Sequence, residues 1–267
     1  NSTKDLINMC GRYVQVSKLE VLEKRFEAQV TQPELWRPNA NVAPGTKAPI
    51  ITSDAPKEIQ FYQFGFRPSW GTAQMMFLNA RAEGDHNPDN DPNYRGAKGI
   101  IQKPSFRKPI RSQRCLVLAD AFIEGPFDRK LSEPYVVYLK GRERPFAMAG
   151  IWDTWLDPST QRELYSFAII TTTANAVLQR IRHPRSPVIL PREAESAWLS
   201  PDTPLADITD LLAPWADDAM NAYPISPAIK HPAAQGLDLL QPIGERVFPE
   251  EDLRLRDDIA LQGAKPR

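Results

Sequence analysis

Cys10 directly follows Met9, which could serve as an initiator methionine. Removal of Met9 and the residues before it would leave Cys10 with a free α-amine and a thiol on adjacent carbons. These groups ordinarily titrate at about pH 8 and about pH 8.5, so both are partly nucleophilic at neutral pH. Such a pair can condense with an aldehyde to an imine, which the thiolate then closes to a thiazolidine. The alternative is that Cys10 is a small buried hydrophobic residue, as most single cysteines are.

The composition bounds the classes of site that the chain can carry. Its 267 residues suffice for one large domain, and its formal net charge of zero gives no global preference for nucleic acid or a membrane. Two cysteines do not make a disulfide framework and indicate a reducing compartment. Without C-x-x-C or H-E-x-x-H spacing, we expect no metal site and no small-molecule cofactor.

The two ends of the chain differ in character from its middle. Residues 1–9 have no apolar stretch of the secretory type, and we interpret them as a leader or a remnant of expression. No apolar run approaches the length of about 20 residues that a membrane helix needs. We therefore expect no membrane partner, a domain over 10–245, and a peripheral charged tail over 246–267.

Hydrophobic periodicity predicts the elements that must position any site. Residues 17–29 have a helical pattern, with Ser17 as the expected N-cap and Glu20 completing a capping box. The proline-rich segment 33–49 and the polar segment 84–96 are predicted to be loops. Further helices are predicted over 175–182, 191–200 and 203–213, and strands over 49–53, 58–66, 115–119, 134–140, 146–152 and 165–173. These elements predict an α+β fold: a single mixed domain with a curved, largely antiparallel β core flanked by short helices.

Several short motifs occur along the chain, and each by itself is weak. A lone Asn before Ala-Arg is usually a turn residue, a Glu after a strand is usually solvated, and a lone His is usually structural. The motifs are Met9-Cys10-Gly11-Arg12-Tyr13, Asn41-Val42-Ala43-Pro44-Gly45, Pro68-Ser69-Trp70, Asn79-Ala80-Arg81-Ala82-Glu83, Ser105-Phe106-Arg107, Arg114-Cys115-Leu116, Glu124, Ala149-Gly150-Ile151-Trp152, Thr171-Thr172-Thr173-Ala174-Asn175 and His183.

Taken together and in this order, the motifs resemble the SOS response-associated peptidase (SRAP) family, whose members crosslink to abasic sites in single-stranded DNA. The resemblance spans residues 10 to about 245. It implies four catalytic residues: Cys10, Asn79, Glu124 and His183. The chain departs from the family pattern after Glu124, where Gly125 stands in place of Trp, and after His183, where Pro184 stands in place of Asp.

The resemblance also implies a DNA-binding surface. Arg12 and Arg81 fit phosphate clamps, and Pro44 and Trp70 fit stacking platforms for bases. The run from Lys98 to Arg114 contains six basic residues and no acidic residue, which fits either a phosphate track or a solvated face. The complete set of expected DNA contacts is Arg12, Asn41, Pro44, Trp70, Arg81, Arg107, Arg111 and Arg185. By contrast, Trp152, Trp155 and Cys115 are expected in the core.

Three hypotheses follow for the function. The first is a sensor of abasic sites in single-stranded DNA that forms a thiazolidine crosslink through an N-terminal Cys10. The second is a thiol autopeptidase in which Cys10, with Glu124 or His183, cleaves the Met9–Cys10 bond. The third is a binding module for single-stranded DNA in which Cys10 only packs. We favour the first, with the second as its maturation step, and expect a monomer that is cytoplasmic and nucleoid-associated if bacterial, and not secreted.

Overall fold

Strands form most of the regular structure in the computed structural model, which describes residues 11–250. The strands are β1 (Tyr13–Gln15), β2 (Gln29–Val30), β3 (Asn39–Val42), β4 (Lys47–Thr52), β5 (Ala55–Phe64), β6 (Asn79–Arg81), β7 (Arg114–Ala119), β8 (Ala121–Glu124), β9 (Tyr135–Leu139), β10 (Phe146–Leu156), β11 (Glu163–Thr173), β12 (Arg185–Pro187), β13 (Ile189–Leu190) and β14 (Met220–Pro224). The helices are α1 (Leu19–Phe26), α2 (Pro109–Ser112), α3 (Ala176–Arg180), α4 (Arg192–Leu199) and α5 (Leu205–Asp210).

The larger sheet is built on long apolar strands. Its main order is β12-β11-β10-β7-β4-β5-β2, with β13 on β10 and β6 on β11. A parallel pairing between β5 and β11 closes β11, β10, β7, β4 and β5 into a ring. Strand β7 is buried along its whole length because both faces of this sheet are covered.

The two faces of the larger sheet pack against different elements. Cys115 and Val117 of β7 share a core with Tyr13 and Phe122 of the smaller sheet. The alternate residues Leu116 and Leu118 pack in the core that also contains apolar side chains of α1, α2, α4 and α5. Alternation along each strand therefore sends one set of side chains toward the smaller sheet and the other toward the helices.

The smaller sheet has the order β14-β9-β8-β1-β3, and all its pairings are antiparallel. Asp120, between β7 and β8, fixes the chain after β1. Its carboxylate accepts hydrogen bonds from the Val16 amide at 2.6 Å, from the Ser17 amide at 2.8 Å and from the Ser17 hydroxyl. Burial raises the pKa of Asp120, and these three donors oppose that rise.

The structure confirms the predicted α+β class and shows where local expectations were wrong. Ser17 does not cap α1, since its hydroxyl is bonded to Asp120 and the N-cap position is Lys18. The segment 33–49, predicted as loop, contains β3 and the start of β4. The helix predicted over 175–182 is α3, and the Asn175 side chain caps it by accepting from the Leu178 amide at 3.2 Å.

Residues expected in the peripheral tail contact the sheet as far as Glu250. The Val247 amide donates to the Ala222 carbonyl at 2.8 Å, and Asn221 donates to the Phe248 carbonyl at 2.8 Å. Within residues 11–250, no helix is both long enough and apolar enough to cross a membrane.

Candidate active site

Glu124 and His183 form a buried acid–base pair. Glu124 ends β8 and His183 follows α3, and the two side chains meet with Nε2 of His183 3.2 Å from Oε2 of Glu124. His183 is 4% exposed and Glu124 is 5% exposed. The structure thus brings together two of the four predicted catalytic residues.

The hydrogen-bond partners of His183 determine where protons lie in this pair. Nδ1 of His183 is 2.8 Å from the carbonyl oxygen of Arg185. A carbonyl oxygen can only accept, so Nδ1 carries a proton. Because two facing lone pairs would repel each other, a second proton lies between Nε2 and the Glu124 carboxylate. The pair is therefore either imidazolium with carboxylate or imidazole with carboxylic acid. In either form, a proton can be donated or accepted where Nε2 of His183 meets the Glu124 carboxyl group.

The end of α3 fixes the position of His183. Arg182 adopts a left-handed conformation with φ of 60°, which ends the helix. The His183 amide then donates to the Leu178 carbonyl at 2.8 Å. The imidazole is consequently held through its own backbone as well as through its ring.

Arg185, whose backbone carbonyl contacts His183, forms a second buried pair with Glu83 through its side chain. The guanidinium of Arg185 donates to both carboxylate oxygens of Glu83, at 2.9 and 2.7 Å, and to the Thr171 carbonyl at 3.0 Å. Burial by itself would raise the pKa of Glu83, but the hydrogen bonds and the charge of Arg185 outweigh it and lower the pKa. Glu83 therefore stays ionised and holds Arg185 against β11.

Glu83 was not among the predicted site residues, although the sequence carried a signal for it. In Asn79-Ala80-Arg81-Ala82-Glu83, polar and small residues alternate, as on a strand with one polar face. Ala80 and Ala82 do lie in the helix-covered core. Asn79, Arg81 and Glu83 occupy the alternate positions, and Asn79 is buried with 4% exposure.

The chain before β1 leads to this pair. Tyr13 is paired with Phe122, and the Ile123 amide donates to the Arg12 carbonyl at 3.0 Å. Continued by one step, this antiparallel register sets Gly11 opposite Glu124. Cys10 lies outside the described residues.

Gly125, directly after Glu124, is closely enclosed by backbone. A β-carbon added there would lie 2.0 Å from the Lys130 carbonyl oxygen and 2.8 Å from that of Glu133. This leaves no room for the tryptophan that the family pattern places after the glutamate. The replacement of tryptophan by Gly125 therefore coincides with close packing of the backbone beside the site.

Two of the predicted DNA contacts, Asn41 and Arg12, are hydrogen-bonded to each other through their side chains. Nη1 of Arg12 donates to Oδ1 of Asn41 at 3.0 Å. The side-chain amide nitrogen of Asn41 donates to the carbonyl oxygens of Ile229, His231 and Ala234 at 3.2, 3.0 and 3.1 Å. Asn41 is fully buried. Asn41 thus ties the segment 229–234 to β3, while Arg12 stays half-buried.

We expect Asn41→Ala to lower the free energy of unfolding by about 1–3 kcal/mol, because it leaves buried carbonyl groups without a donor. Urea unfolding measures this loss. Asn93→Ala, in an exposed loop, is the control and should change stability by less than about 0.5 kcal/mol. Weaker DNA binding with unchanged stability would instead show that Asn41 contacts DNA directly.

Other predicted contacts are accessible. Trp70 is 57% exposed, on a loop anchored by a 2.7 Å bond from the Ser69 amide to Asp153 and a 2.8 Å bond from the Trp155 indole to the Gly71 carbonyl. Pro44 is partly exposed in the turn before β4.

Arg81 donates to the Asn87 carbonyl, and burial, followed by the charge of Arg185, lowers its pKa. Arg185 itself is 2% exposed, so a contact with DNA would require its pairing with Glu83 to open.

The basic run from Lys98 to Arg114 divides into structural and exposed residues. Arg114 is buried and donates to the carbonyls of Ile110, Arg111, Trp198 and Ser200. Lys98 donates to the Leu212 carbonyl at 2.8 Å, and Lys103 pairs with Asp85 at 2.7 Å. Arg107, Lys108 and Arg111 are exposed, so the accessible charge is half of what the sequence indicates.

Cys115 and the metal-binding residue types contribute no second reactive centre in the described part of the chain. Cys115 is fully buried, and burial raises the pKa of its thiol well above the ordinary range, which disfavours the thiolate. Trp152 and Trp155 are in the core, as predicted. Among residues 11–250, no three His, Cys, Asp or Glu side chains are grouped to hold a metal ion.

Comparison with known proteins extends these observations. The profile of a family described as SOS response associated peptidase (SRAP) matches residues 9–232. "Abasic site processing protein YoqW" of Bacillus subtilis is 32% identical over 240 residues, covering 87% of this chain and 99% of that protein. "Abasic site processing protein HMCES" of Rattus norvegicus is 27% identical over 254 residues, covering 79% and 67%. A crystal structure of a Bacteroides thetaiotaomicron protein is similar with a TM-score of 0.73 and 30% identity, covering 87% and 99%.

Proposed function

The chain belongs to the SOS response associated peptidase family, and from that premise we propose that it processes abasic sites in single-stranded DNA. In this proposal, Cys10 becomes the first residue and forms a thiazolidine with the aldehyde of the opened abasic sugar. The observation that carries the proposal is the buried Glu124–His183 pair at the end of β8, the strand that pairs with β1 shortly after Cys10 in the sequence. The names of relatives in Bacillus subtilis and Rattus norvegicus support abasic DNA as the substrate.

The proposed chemistry needs no oxidant or cofactor. The Cys10 amine attacks the aldehyde carbon, and loss of water gives an imine. The thiol then adds across the imine: sulfur bonds to the carbon, and the thiol proton ends on nitrogen. Each step moves protons, and covalent catalysis of this kind requires an acid and a base close to the reacting atoms.

The Glu124–His183 pair would supply these proton transfers. In one state it offers a proton to the sugar-ring oxygen or to the departing water, and in the other it accepts one from the amine. Asn79 cannot titrate, and we assign it to orienting the amine or the sugar oxygen through its amide. Arg12, Arg81, Arg107 and Arg111 are proposed to contact phosphates, and Pro44 and Trp70 to stack on bases.

A second activity, cleavage of the Met9–Cys10 bond, would produce the amine that the first requires. Its support is the peptidase description of the matched family and the nine residues that precede Cys10 in the sequence. Hydrolysis would free the α-amine of Cys10 and a carboxylate on Met9. We propose it as maturation, with the DNA-associated mature protein in the cytoplasm if the source is bacterial. If Cys10 only packs, the remaining function is single-strand binding.

The test is intact mass spectrometry before and after mixing with single-stranded DNA that carries one abasic site. We expect a starting mass that begins at Cys10 and an adduct of the DNA mass minus one water. Cys10→Ala should give no stable adduct, because without the thiol the thiazolidine ring cannot close. Cys115→Ala, which removes the buried thiol, should crosslink like the unsubstituted protein.

The alternatives give different masses. A starting mass that retains residues 1–9, with no adduct, would identify an unprocessed precursor. A mass that begins at Cys10 and gives no adduct would contradict the crosslinking proposal and favour the binding module. In that case, DNA binding should depend on salt and be the same for Cys10→Ala.

A further inference from the structure

An open cleft of about 400 Å³ lies beside His183. One wall comes from the loop after β6, another from the segment after β8, and the third from the end of α3. The residues that line it include Asp89, Asn90, Phe127, Gln179, Arg182 and His183. None of the expected DNA contacts falls among them.

Phe127 presents an aromatic ring to this cleft. It is 42% exposed, and its ring meets the His183 imidazole edge to face, with centroids 6.5 Å apart and planes at 61°. The Phe127 amide donates to the Arg182 carbonyl at 3.1 Å, which attaches the segment after β8 to the end of α3. This hydrogen bond holds the Phe127 ring against His183, one member of the acid–base pair.

The polar lining of the cleft distinguishes among ligand types. Asp89 offers a carboxylate and Asn90 an amide. The Gln179 amide nitrogen donates to the Ala174 carbonyl at 3.0 Å, and the Arg182 guanidinium pairs with Glu133 at 3.4 Å. The carboxylate disfavours a phosphate at that wall, and the polar lining disfavours a purely apolar ligand. A nucleobase meets both conditions, since it has a π face for the phenyl ring and donors and acceptors around its edge.

We propose that this cleft binds the base of a nucleotide adjacent to the abasic site, stacked on Phe127. The inference rests on the proposed function and names a subsite for the DNA that the protein acts on. With the neighbouring base held in the cleft, the baseless sugar is kept beside the Glu124–His183 pair. Phe127 therefore acts in substrate binding and touches no reacting atom.

The test is a double-mutant cycle on DNA binding that does not depend on the crosslink. Fluorescence anisotropy measures the Kd for a labelled single strand with a central tetrahydrofuran, an abasic analogue that has no aldehyde. In two further strands, the base on one or the other side of that site is replaced by a second tetrahydrofuran. The proteins are the unsubstituted chain, Phe127→Ala, Phe127→Leu and Phe127→Trp, with thermal unfolding as the check on folding.

Loss of stacking should weaken binding by about tenfold. We expect Phe127→Ala and Phe127→Leu to lose that factor on the strand with both neighbours, and Phe127→Trp to retain affinity. On one of the two strands that lack a neighbour, all four proteins should bind alike. This coupling supports the subsite even if the natural abasic site gives no covalent adduct, an outcome that would overturn only the crosslinking proposal.

Two results would overturn the subsite. Equal affinities of the unsubstituted protein and Phe127→Ala on every strand would show that the ring contacts no base. Equal losses for Phe127→Ala on all three strands would show that the ring acts by some route other than stacking on a neighbouring base.

Discussion

Glu124→Gln should slow crosslinking to an abasic site by about 10²- to 10⁴-fold, the range that a positioned acid or base contributes. Glutamine retains the size of the side chain and can still contact Nε2 of His183. It cannot, however, take up or release a proton at the contact with Nε2 of His183. Single-turnover crosslinking by proteins whose mass begins at Cys10, followed by gel or mass spectrometry with protein in excess, measures the rate.

A matched control separates proton transfer from a general change in charge. Glu163→Gln removes an exposed carboxylate at the start of β11, remote in sequence from Glu124, and should change the rate by less than about twofold. Binding of DNA that carries a tetrahydrofuran should be unaffected by Glu124→Gln. An unchanged crosslinking rate in Glu124→Gln would remove Glu124 from the mechanism and leave His183 as the only titratable member of the pair.

Arg185→Met should destabilise the fold by about 3–5 kcal/mol, because it leaves the Glu83 carboxylate buried and without its partner. The side chains of Arg185 and Glu83 are 3% and 1% exposed, so water cannot replace the lost bonds. Urea unfolding measures the effect. Adding Glu83→Gln to Arg185→Met should restore part of the loss, since the unpaired charge is then gone.

The pH dependence of this pair has a definite sign. The pKa of Glu83 is lowered in the folded protein, so the pair stabilises the fold above the pKa of the unfolded state, and this contribution falls as pH drops through the folded pKa. The stability difference between the unsubstituted protein and Arg185→Met should therefore shrink in acid. Lys57→Met, which breaks an exposed pair with Glu27, should cost less than about 1 kcal/mol. A cost for Arg185→Met as small as this control would show that the buried pair does not support the site.

The central strands could be predicted from sequence because continuous apolar runs leave few alternatives. The segments 115–119, 146–152 and 165–173 became β7, β10 and β11, each close to its expected position. The short strands β1 and β6 were not predicted. Three residues carry too little periodicity, and only pairing with distant segments makes them strands.

The same long-range dependence limited what could be said about the site. Ser17 has the sequence signature of an N-cap, yet Asp120, far along the chain, takes its hydroxyl. The family resemblance selected Glu124 and His183, but only the fold shows that they touch. It also shows that Asn41 and Arg185, both expected at DNA, are bonded to other parts of the protein. The burial of an arginine cannot be read from its neighbours in sequence.

The place of β1 between β8 and β3 has a practical consequence for producing the protein. If Cys10 must carry a free amine, an affinity tag fused ahead of it has to be released at the Met9–Cys10 bond itself, because one leftover amino acid turns the amine into an amide. An insertion between Cys10 and Tyr13 is no remedy, because one additional residue there would change which residue the register of β1 and β8 sets opposite Glu124. Purification handles therefore belong beyond Glu250.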